Sequence, residues 1–238
     1  MTQPPKPSGS TFPSPKGEVS LVILISGNGS NLDSIIQAIN NNKVHHATIR
    51  AVISNRPNAY GLERAAQQGI PAICLDHKQY ENREAFDNAL LEKVQSYQPD
   101  LVILAGFMRI LTPGFVRSLI GKLINVHPSL LPKYQGLNTH QRAIDAGDLE
   151  HGCSVHFVTE ELDGGPVIAQ AAVKIDSTDT AQTLESKVRK KEHKLLPLCI
   201  QWFSLKRLTM IDNVATLDGA NLASQGQRPT DDVLDDMW

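Results

Sequence analysis

The segment Lys122-Leu123-Ile124-Asn125-Val126-His127-Pro128 sets a carboxamide two residues before an imidazole, with a proline directly after. Side chains two apart on a strand leave it on the same face. The proline stops the strand, so Asn125 and His127 share a face at its carboxyl end. An amide N–H beside a titratable imidazole can stabilise an oxyanion and move a proton. The same pair also suits a structural role, with the imidazole satisfied by a carbonyl and the amide capping a loop. Further on, Thr159-Glu160-Glu161-Leu162-Asp163-Gly164-Gly165-Pro166 contains three acids. Acids in a Gly-Pro loop are ordinary turn formers. Asp163, however, precedes two glycines where backbones can pack closely, and from there it could reach an imidazole and favour its cation.

A second chemical signal is Ser26-Gly27-Asn28-Gly29-Ser30-Asn31-Leu32. It joins an apolar strand to an amphipathic helix. Small residues let the backbone close round a ligand, and the helix start offers free N–H groups and a positive dipole end. A plain tight turn is the other reading. The dinucleotide fingerprint fails because its third glycine falls at Leu32, and no Gly-Lys-Ser/Thr follows. A phosphate monoester therefore fits better than NAD or ATP. A third signal is Glu192. Leu184, Val188, Leu195, Leu196, Cys199 and Trp202 trace the buried stripe of a long helix, and Glu192 falls on it, needing an ion pair or a ligand. His45 and His46 are adjacent, and His151 and His156 lie five apart. Neither spacing suits a metal, and all four read as surface or core. No Gly-x-Ser-x-Gly elbow occurs.

The elements that would position these residues alternate between apolar runs and helical patterns. Strands are expected at Val19–Ile25, Thr48–Ser54, Ala72–Leu75, Leu101–Ala105 and Lys122–His127. Helices are expected between them at 31–41, 60–68 and 82–96. Leu101–Ala105 is apolar throughout, as a strand buried on both faces should be. This order implies an α/β fold, a mostly parallel sheet with helices on both faces. Two more strands at Ser154–Thr159 and Val167–Ile175 add to it toward the C-terminus, and a helix runs from about Thr180 to Ser204. Asp179 with Gln182 resembles its capping box.

Composition sets the outer bounds. The 238 residues carry 23 Lys+Arg against 25 Asp+Glu, a net −2, which argues against a broadly basic nucleic-acid-binding protein. No apolar run is long enough to span a bilayer. Cys74, Cys153 and Cys199 are odd in number and widely spaced, which suits a reducing compartment. Residues 1–18 hold five prolines and no apolar core, so a disordered leader is expected there. One domain is expected over 19–218. A mobile, polar and acidic tail is expected over 219–238, although Val233, Leu234 and Trp238 could dock.

The motifs Ser26–Leu32, Ala105-Gly106-Phe107-Met108-Arg109-Ile110-Leu111, Asn125-Val126-His127-Pro128-Ser129-Leu130-Leu131-Pro132 and Leu162–Pro166, in that order, closely resemble the folate-dependent phosphoribosylglycinamide formyltransferases. The likeness runs from about Val19 to Asp218. It implies a Rossmann-like formyltransferase fold whose added C-terminal strands run antiparallel. It also implies a cytoplasmic enzyme of purine synthesis that moves a formyl group from 10-formyltetrahydrofolate to the amine of glycinamide ribonucleotide. Asn125, His127 and Asp163 would be catalytic, with no metal. Gly29, Ser30, Asn31, Leu32 and Asp33 would hold the substrate phosphate. The stretch Arg189, Lys190, Lys191 and Glu192 would bind the glycinamide substrate. Arg83 would meet the folate. Met108, Arg109, Ile110 and Leu111 would line the pterin pocket together with Asn125, facing Thr159, Glu160, Glu161, Leu162 and Asp163. The partners would be these two small molecules, with no nucleic acid or membrane, and the chain would be a monomer or homodimer.

The family's usual Lys-Tyr-Pro-Gly-Leu-His-Thr-His reads Lys133-Tyr134-Gln135-Gly136-Leu137-Asn138-Thr139-His140 here. Gln135 is expected to loosen that loop, and Asn138 removes a histidine. Methionyl-tRNA formyltransferases would need a basic C-terminal domain, and formyltetrahydrofolate deformylases an N-terminal regulatory domain. Neither fits the sequence outside 19–218. A catalytically silent folate or nucleotide binder would not need Asn125, His127 and Asp163 together.

Overall fold

Residues 17–237 are described by the structure, a computed structural model. β1 (Val19–Ile25) is buried at every position. It is followed by α1 (Ser30–Asn40), β2 (Ala47–Ser54), α2 (Tyr60–Gln67), β3 (Ala72–Cys74), α3 (Arg83–Gln95) and β4 (Leu101–Leu104). Then come α4 (Pro113–Ser118), β5 (Leu123–His127), α5 (Thr139–Asp145), β6 (Glu150–Phe157), β7 (Val167–Lys174) and α6 (Ala181–Ser204). Seven strands form one sheet in the order β3-β2-β1-β4-β5-β6-β7. Pairings are parallel as far as β5, then antiparallel between β5 and β6 and between β6 and β7. β1 pairs with both β2 and β4, so the connections leaving it and β4 diverge. A crevice opens at the carboxyl ends of strands at such a switch point.

Alternation along β1 sorts its side chains into two cores. Leu21, Ile23 and Ile25 face a layer with Leu32 and Ile35 of α1 and Leu195 and Cys199 of α6. Val22 and Leu24 face the other layer, with Phe86 and Leu90 of α3 and Phe115 of α4. Helices thus cover both faces, as the alternation of elements predicts.

α6 starts one residue later than Asp179 suggested. Thr180 is the cap: its hydroxyl accepts from the Thr183 amide at 3.2 Å, and Thr183 Oγ1 accepts from the Thr180 amide at 2.9 Å. Asp179 is taken by Lys187 Nζ at 2.5 Å, and that contact helps hold its carboxyl down at about 2.

The structure departs from the expectation of a mobile tail. β8 (Leu208–Ile211), β9 (Val214–Leu217) and β10 (Ala220–Asn221) form a small antiparallel sheet, and α7 (Asp231–Asp235) follows. Gln227 N–H donates to the Ile168 carbonyl at 2.9 Å, and the Gln170 N–H donates to the Gln227 carbonyl at 2.8 Å. Leu234 and Met237 are buried in the core beside α6. Asp231 and Asp235 pair with Lys191 and Lys194. Two apolar residues and two matched charges are enough to seat a segment whose overall composition is polar. Val233 stays exposed. Trp238 and residues 1–16 of the expected leader lie outside the described residues. No helix among the described residues is long and apolar enough to cross a membrane.

Candidate active site

β5 delivers Asn125 and His127 to the crevice on one face, as their spacing requires. Asn125 is half-buried and His127 is buried. The loop after β6 brings Asp163 to them. His127 Nδ1 lies 3.4 Å from Asp163 Oδ2, and His127 Nε2 lies 2.9 Å from the Tyr134 carbonyl oxygen. A carbonyl only accepts, so Nε2 carries a proton. Both ring nitrogens therefore face acceptors, which fixes the ring in place. Asp163 Oδ2 also accepts the Gly136 N–H at 2.9 Å. Asp163 itself sits at φ +50°, a left-handed conformation that short polar residues tolerate best.

Gln135 makes a contact across its loop. Its Nε2 donates to the Asp163 backbone carbonyl at 3.3 Å and ties the 134–138 segment to the 159–163 loop. Asn138 occupies the N-cap of α5 at φ +57°, again a conformation asparagine accepts.

His156, read from sequence as surface or core, lies across the antiparallel ladder from Asn125. Its Nδ1 is 2.9 Å from the Phe157 carbonyl, so Nδ1 carries the proton and Nε2 is free to accept. Asn125 Nδ2 donates to that Nε2 at 3.2 Å. Burial pushes the His156 pKa well down, which keeps the ring neutral and accepting. Its 3.7 Å approach to Asp163 Oδ1 is therefore not an ion pair at neutral pH. The signal that would have found His156 is the strand register, since it is the residue opposite Asn125.

The first turn has the shape of an anion cradle. Gly29 caps α1 at φ +78°, and a Cβ there would lie 2.7 Å from Gly61 Cα, so only glycine fits. The first four N–H groups of a helix lack internal partners, which leaves those of Gly29, Ser30, Asn31 and Leu32 for a ligand. The Asp33 N–H is already bonded to the Gly29 carbonyl at 2.9 Å, and the Asp33 carboxylate pairs with Arg64 at 3.3 Å. Asp33 thus supports the turn and adds no donor to the cradle. The Leu32 side chain points into the core. Arg64, which the sequence did not single out, also donates through Nε to the Asn28 carbonyl at 3.1 Å and lies over the Tyr60 ring. It brings positive charge to the rim.

Glu192 reaches this cradle from α6. Its Oε2 accepts from Asn31 Nδ2 at 3.0 Å, and burial pushes its carboxyl pKa up. The buried Asn31 Oδ1 has no partner among the described residues. Arg189 pairs with Glu185, Lys190 is exposed and Lys191 pairs with Asp231. Of the four residues 189–192, Glu192 is the one hydrogen-bonded to α1.

The 108–111 segment forms another wall. Met108 and Ile110 are 61% and 57% exposed, unusual for large apolar side chains held in fixed backbone. Arg83 Nη2 donates to the carbonyls of Ile110 and Leu111. Arg109 lies over the Phe86 ring at 4.7 Å, and Leu111 is buried. In the 159–163 loop, Glu160 pairs with Arg117 of α4 at 2.9 Å, while Glu161 and Leu162 are exposed and Thr159 is half-buried.

Known proteins resemble this chain over most of its length. Residues 19–200 match the formyl transferase family. The chain is 52% identical over 208 residues to the phosphoribosylglycinamide formyltransferase of Escherichia coli, covering 87% of this chain and 98% of that one. It is 48% identical over 206 residues to that of Haemophilus influenzae, covering 87% and 97%. The solved phosphoribosylglycinamide formyltransferase of Coxiella burnetii superposes with a TM-score of 0.85 at 48% identity, covering 90% of this chain and all of that one.

Proposed function

Because the chain belongs to the formyl transferase family, we propose that Asn125, His127 and Asp163 are the groups that carry out its one-carbon transfer. The reaction moves the formyl group of 10-formyltetrahydrofolate to the amine of glycinamide ribonucleotide in purine biosynthesis. The products are formylglycinamide ribonucleotide and tetrahydrofolate.

The amine attacks the formyl carbon, and negative charge grows on the formyl oxygen. One N–H of the Asn125 amide is donated to His156, which turns the other toward the crevice, where it meets that oxygen. A donor already aimed at the developing charge needs no reorganisation when the charge forms. His127 and Asp163 stand beside that oxygen as one linked pair, the ring held through Nδ1 by Asp163 and through Nε2 by the Tyr134 carbonyl. The proton lost by the amine passes through a water to the departing folate nitrogen. No covalent intermediate is required, because the amine is itself a good nucleophile.

The substrate phosphate occupies the N–H cradle at Gly29–Leu32, with Arg64 at its rim. Glu192 binds the glycinamide part. The folate lies between Met108–Leu111 and Thr159–Asp163, covering the apolar side chains that otherwise face water. Arg83 acts there chiefly by fixing the Ile110 and Leu111 carbonyls.

The observation that carries the assignment is the 3.4 Å contact of His127 with Asp163, beside Asn125 on the same strand face. Steady-state transfer with glycinamide ribonucleotide, initiator tRNA or water as acceptor tests it. Rapid turnover with glycinamide ribonucleotide alone is expected. Turnover that prefers tRNA or water would contradict it.

A further inference from the structure

The segment from Phe107 to Thr112 has neither helix nor strand to fix it, yet it keeps two large apolar side chains in water. Two buried side chains hold its ends. At the first, the Met108 N–H donates to Ser26 Oγ at 2.8 Å. The Ser26 hydroxyl in turn donates to Asn55 Oδ1 at 2.6 Å. Its one proton is thereby spent, and its lone pairs are aimed at Met108. Ser26 and Asn55 are 3% and 1% exposed. At the other end, the Thr112 N–H donates to Asp87 Oδ2 at 2.6 Å. Asp87 is 1% exposed, and its Oδ1 has no partner among the described residues.

Burying a carboxyl group with one oxygen unsatisfied is costly. A solvated loop of six residues needs no such device. The cost makes sense where the loop's shape matters more than its stability. We propose that Ser26 and Asp87 are positioning residues that clamp the two ends of the 108–112 segment into the shape that receives the folate. The proposal rests on the reading of that segment as the folate wall.

Ser26 directly follows β1, and its hydroxyl is turned to Met108 and Asn55, on the side of the folate wall. Asp87 lies one helical turn beyond Arg83, so a single face of α3 grips the segment at the carbonyls of residues 110 and 111 and at the amide of Thr112.

The test uses the full chain with Ser26→Ala, Asp87→Ala and Asp87→Asn. Tetrahydrofolate affinity is measured by calorimetry without the second substrate, and KM for glycinamide ribonucleotide by steady-state transfer. Ser26→Ala and Asp87→Ala are expected to weaken tetrahydrofolate binding by roughly ten-fold, the size of one lost hydrogen bond. KM for glycinamide ribonucleotide should stay within about two-fold on the same grounds. Asp87→Asn keeps an acceptor for Thr112 and should recover most of the loss. Should Asp87→Ala fail to fold, Ser26→Ala and Asp87→Asn decide. Unchanged tetrahydrofolate affinity in folded Ser26→Ala and Asp87→Ala would overturn the clamp alone. Parallel weakening of both substrates would also overturn it. A wild-type chain that binds no tetrahydrofolate would overturn the function reading, and the clamp with it.

Discussion

Asn125 Nδ2 lies 3.2 Å from His156 Nε2, and that contact decides which way the Asn125 amide faces. The neutral imidazole can accept there because its own proton is committed to the Phe157 carbonyl. Replacing His156 by Leu removes the acceptor and frees the amide to rotate. The expected result is a kcat lower by about ten-fold to a hundred-fold, less than the roughly 10²–10³ for removing an oxyanion donor outright. Both KM values should change little. A wild-type kcat in His156→Leu would show that the contact does not orient the amide.

His127 and Asp163 form the second linked pair, with Nδ1 and Oδ2 3.4 Å apart. Groups that act as one unit lose little more when the second is removed after the first. His127→Asn and Asp163→Asn should each slow single-turnover transfer by roughly 10²-fold or more. The double variant should be far less impaired than the product of the two losses. Strictly multiplicative losses would mean that the two act independently.

Much of this arrangement is legible in the sequence. β1 and β4 are central strands buried at every position, so their apolar runs announce them. The shared face of Asn125 and His127 follows from the two-residue period. What the sequence does not disclose is contact across the fold. Asp163 becomes catalytic in the reading through family resemblance, since nothing local says that its loop returns to His127. His156 depends on antiparallel register. α4 and α5 span six and seven residues, too short for a helical period to show. β8 to β10 are brief strands without clean alternation. The tail from Gly219 reads as polar because the apolar residues it buries, Leu234 and Met237, are few among many polar ones.

Those anchors lead to a stability prediction. Leu234 is 1% exposed and packs beside α6. Leu234→Ala should cost about 2–5 kcal/mol, the range for a buried leucine. That corresponds to a Tm lower by roughly 5 °C or more in a chain of this size. The Lys191–Asp231 and Lys194–Asp235 pairs are exposed on their acidic side and should matter little beside it. An unchanged Tm in Leu234→Ala would mean that the tail does not dock in solution.

Glu192 is expected to act on one substrate. Its carboxylate meets Asn31 at 3.0 Å beside the phosphate cradle and away from the folate wall. Glu192→Gln should weaken glycinamide ribonucleotide binding by about 1–3 kcal/mol, as for a lost charged hydrogen bond. KM for the folate should hardly move. A lower Tm with both KM values unchanged would instead make Glu192 a purely structural partner of Asn31.

Acid should destabilise the fold through its histidines. Burial lowers the pKa values of His140, His156 and His193, and that of His151 to about 4. Their unfolded value is near 6.5. A depressed folded value gives stability that is complete above the unfolded pKa and is lost as pH falls toward the folded one. The loss should therefore run from about pH 6.5 down to about 4. Glu192, with its pKa raised by burial, works in the opposite direction, one group against four. Urea unfolding at pH 7.5 and at pH 5 should show a lower midpoint at pH 5 with the same slope. Equal midpoints would show that these rings are not held neutral.

The central claim is that Asn125 stabilises the charge on the formyl oxygen. Its most direct test is the single-turnover rate of formyl transfer from 10-formyltetrahydrofolate to glycinamide ribonucleotide in Asn125→Ala at saturating substrates. The account predicts a rate lower by about 10²–10³-fold, with both substrates bound nearly as tightly as before. A rate close to that of the unaltered chain would contradict it.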